Sequence, residues 1–326
     1  MQTILLFTLA VIAILAIWTH FAVARAFSRH PPTGIFVPVT GGRLHLRDLG
    51  PRDAPPERTI VLLHGASCNL LALTLPLAEK LSRSFRVIAI DRPGHGHSER
   101  PGGSACTGLP VQARLIVEAM EAVGVPKALI LGHSWSGALA TTLALEHPDR
   151  VLGLGLLAPA THPWPGGILW YYHVGSWPVI GWIFARLLPV PGAALTMQSG
   201  VDSVFHPQKP PANYVEDTAV ALMLRPGSFI ANAQDVAGLH AHVSANAGRY
   251  HRIAVPALVI AGDSDGVVAT WLHTAALSRD LPDVETHVLK GVGHTPHHAD
   301  TSFVVSRIER LSARVASRQG QSIAAP

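Results

Sequence analysis

Hydrophobic and polar positions alternate along this chain in distinct regimes. From Ile4 to Ala24 there is no Asp, Glu, Lys or Arg. As a helix this run of about 21 residues spans roughly 30 Å, the thickness of a bilayer core. "SRHPPTG" follows as a Pro/Gly-rich linker. "IFVPVTGGRLHLRDLG" reads as two strands across a Gly-Gly turn. Short apolar runs then alternate with stretches of helical spacing. "TIVLLHG", "FRVIAIDRPG", "ALILGHS" and "VLGLGLLAP" read as strands. "LLALTLPLAEKLSRS", "VQARLIVEAMEAVGV" and "SGALATTLALEHPD", stopped at Pro148, read as the helices between them. Wholly apolar strands alternating with helices predict an α/β fold: a mostly parallel, doubly wound sheet covered on both faces.

The alternation breaks at Thr161. Residues 161–252 carry Trp164, Trp170, Trp177 and Trp182, many prolines and no clear apolar strand. The pattern resumes with "PALVIAGDSDG", a helix from about Thr270, "ETHVLKGVGH" and a last helix from about Thr301. An insertion between two strands of such a sheet is where a cap sits. Ile168–Val190 is apolar enough to raise a second membrane crossing. If the strands on either side belong to one sheet, however, both ends must lie on one side, and Gly175, Pro178 and Gly181 suit a broken pair of cap helices, read as a plain apolar cap or, alternatively, as an interfacial or re-entrant contact. The expected organisation is an anchor over 1–25, a linker over 26–34, a core over 35–160 and 253–318, a helical cap or lid over 161–252, and a disordered tail over 319–326.

Composition sharpens this picture in a few places. Apolar residues make up 48% and charged residues 14%, which excludes a disordered chain. Ala22-Val23-Ala24 could serve a signal peptidase, but Met1–Thr3 carries no basic residue and the run is long, which favours an uncleaved anchor. Arg25, Arg29, Arg43 and Arg47 follow it, and the positive-inside rule then puts the body in the cytoplasm; a cleaved leader would put it in the periplasm or outside. Cys68 and Cys106 are the only cysteines and form no disulfide framework. The net charge of +4 comes mostly from arginine without a basic-aromatic block, so no nucleic-acid partner is expected. Arg307, Arg310, Arg314 and Arg318 lie at helical spacing opposite Val304, Ile308, Leu311 and Val315, as a solvated face or a contact for anionic headgroups.

"LGHSWSGALA" carries the candidate chemistry. A serine hydroxyl needs an adjacent base, oriented by a carboxylate, to attack at neutral pH. It also needs N–H donors where the oxyanion forms. Ser134 lies between Gly132 and Ser136, and Ser136 between Ser134 and Ala138, so both pass a small-x-Ser-x-small pattern. Register separates them. The strand ends at Leu131, so Ser134 falls in the tight turn, and Ser136 falls in the first helical turn, where it caps or packs.

Four motifs in order, "LLHGAS", "DRPGHGHS", "GHSWSG" and the late pair "AGDSDGVV" with "GVGHTPHH", are similar to those of the α/β-hydrolase superfamily over roughly residues 35–315. The resemblance is to the group with an HG loop and a cap. It implies Ser134 as nucleophile, His294 as base, and Asp265 as acid by the G-x-x-D pattern, with Asp263 structural. It also implies an oxyanion hole from the N–H groups of Trp135 and Ala66. In some relatives the acid follows the strand after the elbow helix, but "LLAPATHPW" offers no carboxylate there. His64 is expected to brace its loop, and "DRPGHGHS" to shape one. His297 and His298 invite a metal reading with His294, but no carboxylate or cysteine completes the set, so neither metal nor cofactor is expected. By the same resemblance haloalkane dehalogenases and epoxide hydrolases use aspartate at the elbow, and serine argues against both. The expected activity is a membrane-anchored serine hydrolase, esterase- or lipase-like, acting on a small apolar acyl substrate that the cap's tryptophans would accept. Alternatives are carbon–carbon hydrolysis, acyl transfer or perhydrolysis on the same triad, and a non-catalytic membrane accessory protein. The expected partners are that substrate and membrane lipid; the oligomeric state is not indicated.

Overall fold

A computed structural model describes residues 1–324. Its eight strands are β1 (Ile35–Val39), β2 (Gly42–Leu49), β3 (Thr59–Leu63), β4 (Arg86–Ile90), β5 (Ala128–His133), β6 (Val151–Leu157), β7 (Ala257–Gly262) and β8 (Val284–Leu289). They form one sheet in the order β1-β2-β4-β3-β5-β6-β7-β8. The β1–β2 hairpin joins β4 antiparallel, and every other pairing is parallel. This is the mostly parallel, doubly wound sheet that the alternation predicts. Its central strands are buried on both faces, which is why they read as unbroken apolar runs. Val61, Leu63, Ile88, Ile90 and Ile130 pack into one core, and their neighbours Ile60, Leu62, Val87, Ala89 and Leu131 into the other.

The principal helices are α1 (Gln2–Arg29), α2 (Leu109–Ala122), α3 (Ser136–Glu146), α4 (Trp170–Ser176), α5 (Pro178–Leu187), α6 (Pro189–Phe205), α7 (Pro226–Ala247), α8 (Thr270–Asp280) and α9 (Thr301–Ala324). The expected helix between β3 and β4 is interrupted by a π turn over Thr74–Ala78. Pro76 sits in it and can donate no backbone hydrogen bond. α1 is long and apolar enough to cross a membrane. It continues through Arg29, into the stretch expected as a linker. α9 runs to Ala324, so residues 319–324 are helical where a disordered tail was expected; the last two residues of that tail lie outside the described residues. The helix is held by its apolar stripe of Val304, Ile308, Leu311 and Val315 in the core. Its basic face carries ion pairs, with Arg310 and Arg314 on Glu285 and Arg318 on Asp283.

Two features place the site. Parallel strands deliver their loops to one edge, and the chain turns from β3 toward β4 on one side and from β5 toward β6 on the other. The loops after β3 and β5 therefore diverge around a crevice at the strands' carboxyl ends. The cap helices α4 to α7 lie between β6 and β7, which are parallel sheet neighbours, so the insertion leaves from the carboxyl end of β6, beside the crevice, and the chain returns to the amino end of β7.

Candidate active site

Between β5 and α3 the chain reverses within a few residues. Ser134 holds φ +55°, the left-handed region that a serine rarely adopts. Hydrogen bonds over-determine this conformation. The Ser134 N–H donates to the Leu157 carbonyl at 2.9 Å, and its carbonyl accepts from Gly137 at 2.9 Å and Ala160 at 3.0 Å. Strand and helix approach so closely that a Cβ at Gly132 would lie 2.2 Å from the Ser136 carbonyl oxygen. Ser136 itself is fully buried, and its hydroxyl donates to the His64 carbonyl at 2.5 Å. A glycine there could not make that bond, which ties the loop after β3 to the elbow.

Three sequence-predicted residues meet at the strand ends. His294 Nε2 lies 2.8 Å from Ser134 Oγ, and His294 Nδ1 lies 2.8 Å from Asp265 Oδ2. Asp265 Oδ1 accepts the N–H groups of Val267 and Val268 at 2.8 and 2.9 Å. Burial pushes the Asp265 carboxyl up. The hydrogen bond and charge of His294, with those two N–H groups, more than offset it and hold the carboxyl below the usual range. Asp263 faces elsewhere: its Oδ1 accepts the Gly291 N–H at 2.7 Å, bracing the end of β7 against the loop that presents His294.

Around this trio the histidines take separate parts. His133 Nε2 donates to the His294 carbonyl at 3.0 Å, since a carbonyl can only accept. Burial first, then the neighbouring His294, lowers the His133 pKa to about 3, so its ring is neutral. His297 and His298 stack onward from it, with ring centroids 4.7 and 4.8 Å apart. His64 Nε2 accepts the Arg92 N–H at 3.0 Å, so its ring braces the loop. Burial raises the Cys68 thiol pKa to about 11, which leaves it unreactive at neutral pH.

The two expected oxyanion donors lie on segments that flank Ser134. Trp135 follows Ser134 directly. Ala66 follows Gly65, where an added Cβ would lie 3.1 Å from the Ser134 Cβ. Among the described residues neither backbone N–H has a hydrogen-bond partner.

Sequence reasoning missed the network that holds these donors. Arg92, fully buried, stacks 4.0 Å over the Trp135 ring and donates to the carbonyls of His64 and Gly65 at 3.1 and 3.2 Å. It also pairs with Asp235 of cap helix α7 at 2.8 Å. Asp235 takes a second arginine, Arg100, at 2.8 Å and the Gln112 amide at 3.0 Å, and its carbonyl accepts the Trp135 indole N–H at 2.9 Å. One turn earlier, Asn232 Oδ1 accepts the Ser67 N–H at 2.7 Å, and its amide donates to Ser67 Oγ at 3.0 Å. The cap is thereby bonded to the loop that holds Ala66 and Ser67 and to the indole of Trp135. A lone acid in "ANAQDVAG" was the available signal, since a buried carboxylate needs cationic partners. Its partners lie 135 and 143 residues away, and no local pattern connects them.

Comparison with known proteins agrees with the fold. A family model described as alpha/beta hydrolase fold matches residues 58–301. Bifunctional epoxide hydrolase 2 of Rattus norvegicus is 31% identical over 117 residues, 36% of this chain, and the match spans only 20% of that protein's length. An uncharacterized carboxylesterase, nap, of Bacillus subtilis (strain 168) is 25% identical over 282 residues, 83% of each chain. Among solved structures, a membrane phospholipase A described as a novel bacterial virulence factor superposes with a TM-score of 0.68, at 20% identity over 97% of this chain and 99% of its own, which shows likeness of fold.

Proposed function

The chain belongs to the α/β-hydrolase family, and from that premise we propose that it is a membrane-anchored serine hydrolase cleaving an apolar carboxylic ester through an acyl-enzyme. At family level it is a hydrolase of the esterase and epoxide-hydrolase type. The finer reading is carried by one observation: an unbroken relay from Asp265 through His294 to Ser134, at 2.8 Å in each step.

In this reading Ser134 Oγ attacks the ester carbonyl while His294 Nε2 takes its proton, and Asp265 stabilises the imidazolium. The Trp135 and Ala66 N–H groups, which no protein group accepts among the described residues, meet the oxyanion. Collapse breaks the carbon–oxygen bond, and the leaving alkoxide takes the proton from His294. Water then repeats the sequence on the acyl-enzyme and frees the acid and Ser134. Serine in place of a carboxylate favours acyl chemistry over epoxide opening by covalent attack. Tyr172 of α4 reaches Ser67 Oγ at 3.2 Å, and an aromatic series runs on through Tyr171, Trp170, Phe184 and Phe229. That aromatic series in the cap supports an apolar acyl group.

A fluorophosphonate probe tests the central assignment. Wild type and Ser136→Ala label, and Ser134→Ala does not; labelling that survives Ser134→Ala sinks the reading. α1 supports the anchor, which resistance to alkaline carbonate extraction checks. A reporter fused after α1 tests the cytoplasmic orientation that the arginine bias favours.

A further inference from the structure

The apolar, charge-free run of α1 is not free along its whole length. Ile4 to Ile14 is exposed, but from Leu15 onward one face is covered, with Leu15, Ala16, Thr19, Ala22, Val23 and Ala26 turned inward. That face packs on α5, α6 and the turn at Val220–Leu224. The small side chains among these residues allow close approach. The opposite face remains apolar and open, with Ile14, Ile17, Trp18 and Phe21 exposed. The unpacked segment is about 11 residues, roughly 16 Å of helix, about half of a ≈ 30 Å hydrocarbon core. Placing the whole run in a bilayer therefore places the helices packed on its second half in the same layer.

Those helices have the surface such a position requires. Between Thr161 and Val201 the one residue of the Asp, Glu, Lys and Arg types is Arg186, and its guanidinium lies 3.7 Å over the Trp182 ring. Trp177, Val179, Ile180, Trp182, Ile183 and Leu195 are all exposed, Val179 at 72% and Leu195 at 87%. α5 and α6 together are apolar enough for a span but bend by 69° at their junction, and the strands flanking the cap, β6 and β7, pair in one sheet, so the pair cannot cross and must enter and leave on one side. The polar boundary agrees in register: Arg29, past the end of the apolar run, lies 3.9 Å from Glu216 of the cap. Charged residues of α1 thus sit beside charged cap residues, and apolar beside apolar.

We propose that the cap is itself a membrane-inserted surface, with α5 and the start of α6 immersed in lipid beside α1 as a re-entrant element. The occupant of the exposed face is the acyl region of the bilayer, with tryptophans at its edge. This rests on the anchor reading of α1.

The test uses the full chain in vesicles of phosphatidylethanolamine and phosphatidylglycerol, with a benzophenone amino acid placed singly at Leu6, Val179 or Val288. Hydrolysis of a short soluble ester reports folding of each variant. Irradiation yields phospholipid adducts at Leu6 and Val179, roughly tenfold above those at Val288 on the outer strand β8. Adducts at Leu6 without adducts at Val179 overturn the immersion while the anchor stands. Cross-links from Val179 to a second copy, without lipid, overturn it in favour of a protein interface. Absence of adducts at both Leu6 and Val179, with extraction by carbonate, overturns the anchor reading and this inference with it.

Discussion

Ser134 and Ser136 differ by a single residue on either side of a helix start, yet they meet different neighbours. Ser134 is aimed at His294, and Ser136 at the His64 carbonyl. Loss of the first removes chemistry; loss of the second removes a buried bond. Ser136→Ala is expected to keep probe labelling and to lose about 1–3 kcal/mol of stability, because the His64 carbonyl is left with less hydrogen bonding; urea unfolding measures it. The two aspartates separate in the same way. Asp265→Asn is expected to lower kcat by about 10⁴-fold, through the wrong imidazole tautomer and an unstabilised imidazolium. Asp263→Asn keeps an acceptor for Gly291 and is expected to stay within about tenfold of wild type. Equal losses in the two variants would refute the division between them.

At the scale of elements, α7 is the cap helix that reaches the site. Asn232 and Asp235 sit one turn apart on one face, as helical spacing requires, and bond to Ser67 and to Arg92 and Arg100, of which Arg92 stacks on Trp135 and holds the His64 and Gly65 carbonyls. Asp235→Asn leaves two buried guanidiniums short of a negative charge and is expected to cost roughly 3–5 kcal/mol of stability. Asn232→Ala is milder and more informative. It frees the Ser67 N–H beside the oxyanion loop, and kcat is expected to fall about tenfold with KM little changed, the pattern of a lost transition-state interaction. A rise in KM alone would assign Asn232 to substrate fit instead.

Across the whole molecule the buried histidines set the acid response. Burial holds the pKa of His133 at about 3 and those of His273 and His298 at about 4, each against 6.5 as its ordinary value. Between pH 6.5 and 4 the unfolded chain binds protons that the folded one refuses, so stability falls as pH falls. Each such histidine contributes up to ~1.4 kcal/mol per pH unit. The lowered carboxyl of Asp265 acts in the same direction further down, its contribution being present above the ordinary carboxylate pKa and lost as pH falls through the folded value. Thermal melts in detergent are expected to shift down steadily from pH 6.5 to 4.5, and His298→Asn to flatten the slope. A melting temperature constant over that interval would contradict the burial of these rings as neutral groups.

Period and order along the chain were sufficient for the sheet and for the turn that presents Ser134, because strand alternation and tight turns are local properties, whereas Asp265 and His294 were legible only through the motifs' likeness to a family. The apolar character of α1 and of α5 was equally legible, since it is composition. Tertiary structure alone decided what each of these meets. It turned Ser136 from a residue that caps or packs into a donor to the His64 carbonyl, and joined Asp235 to arginines far away in sequence. It also laid α5 and α6 against half of the apolar helix. Those outcomes depend on which surfaces the folded chain brings together, and no spacing along the sequence encodes such a meeting.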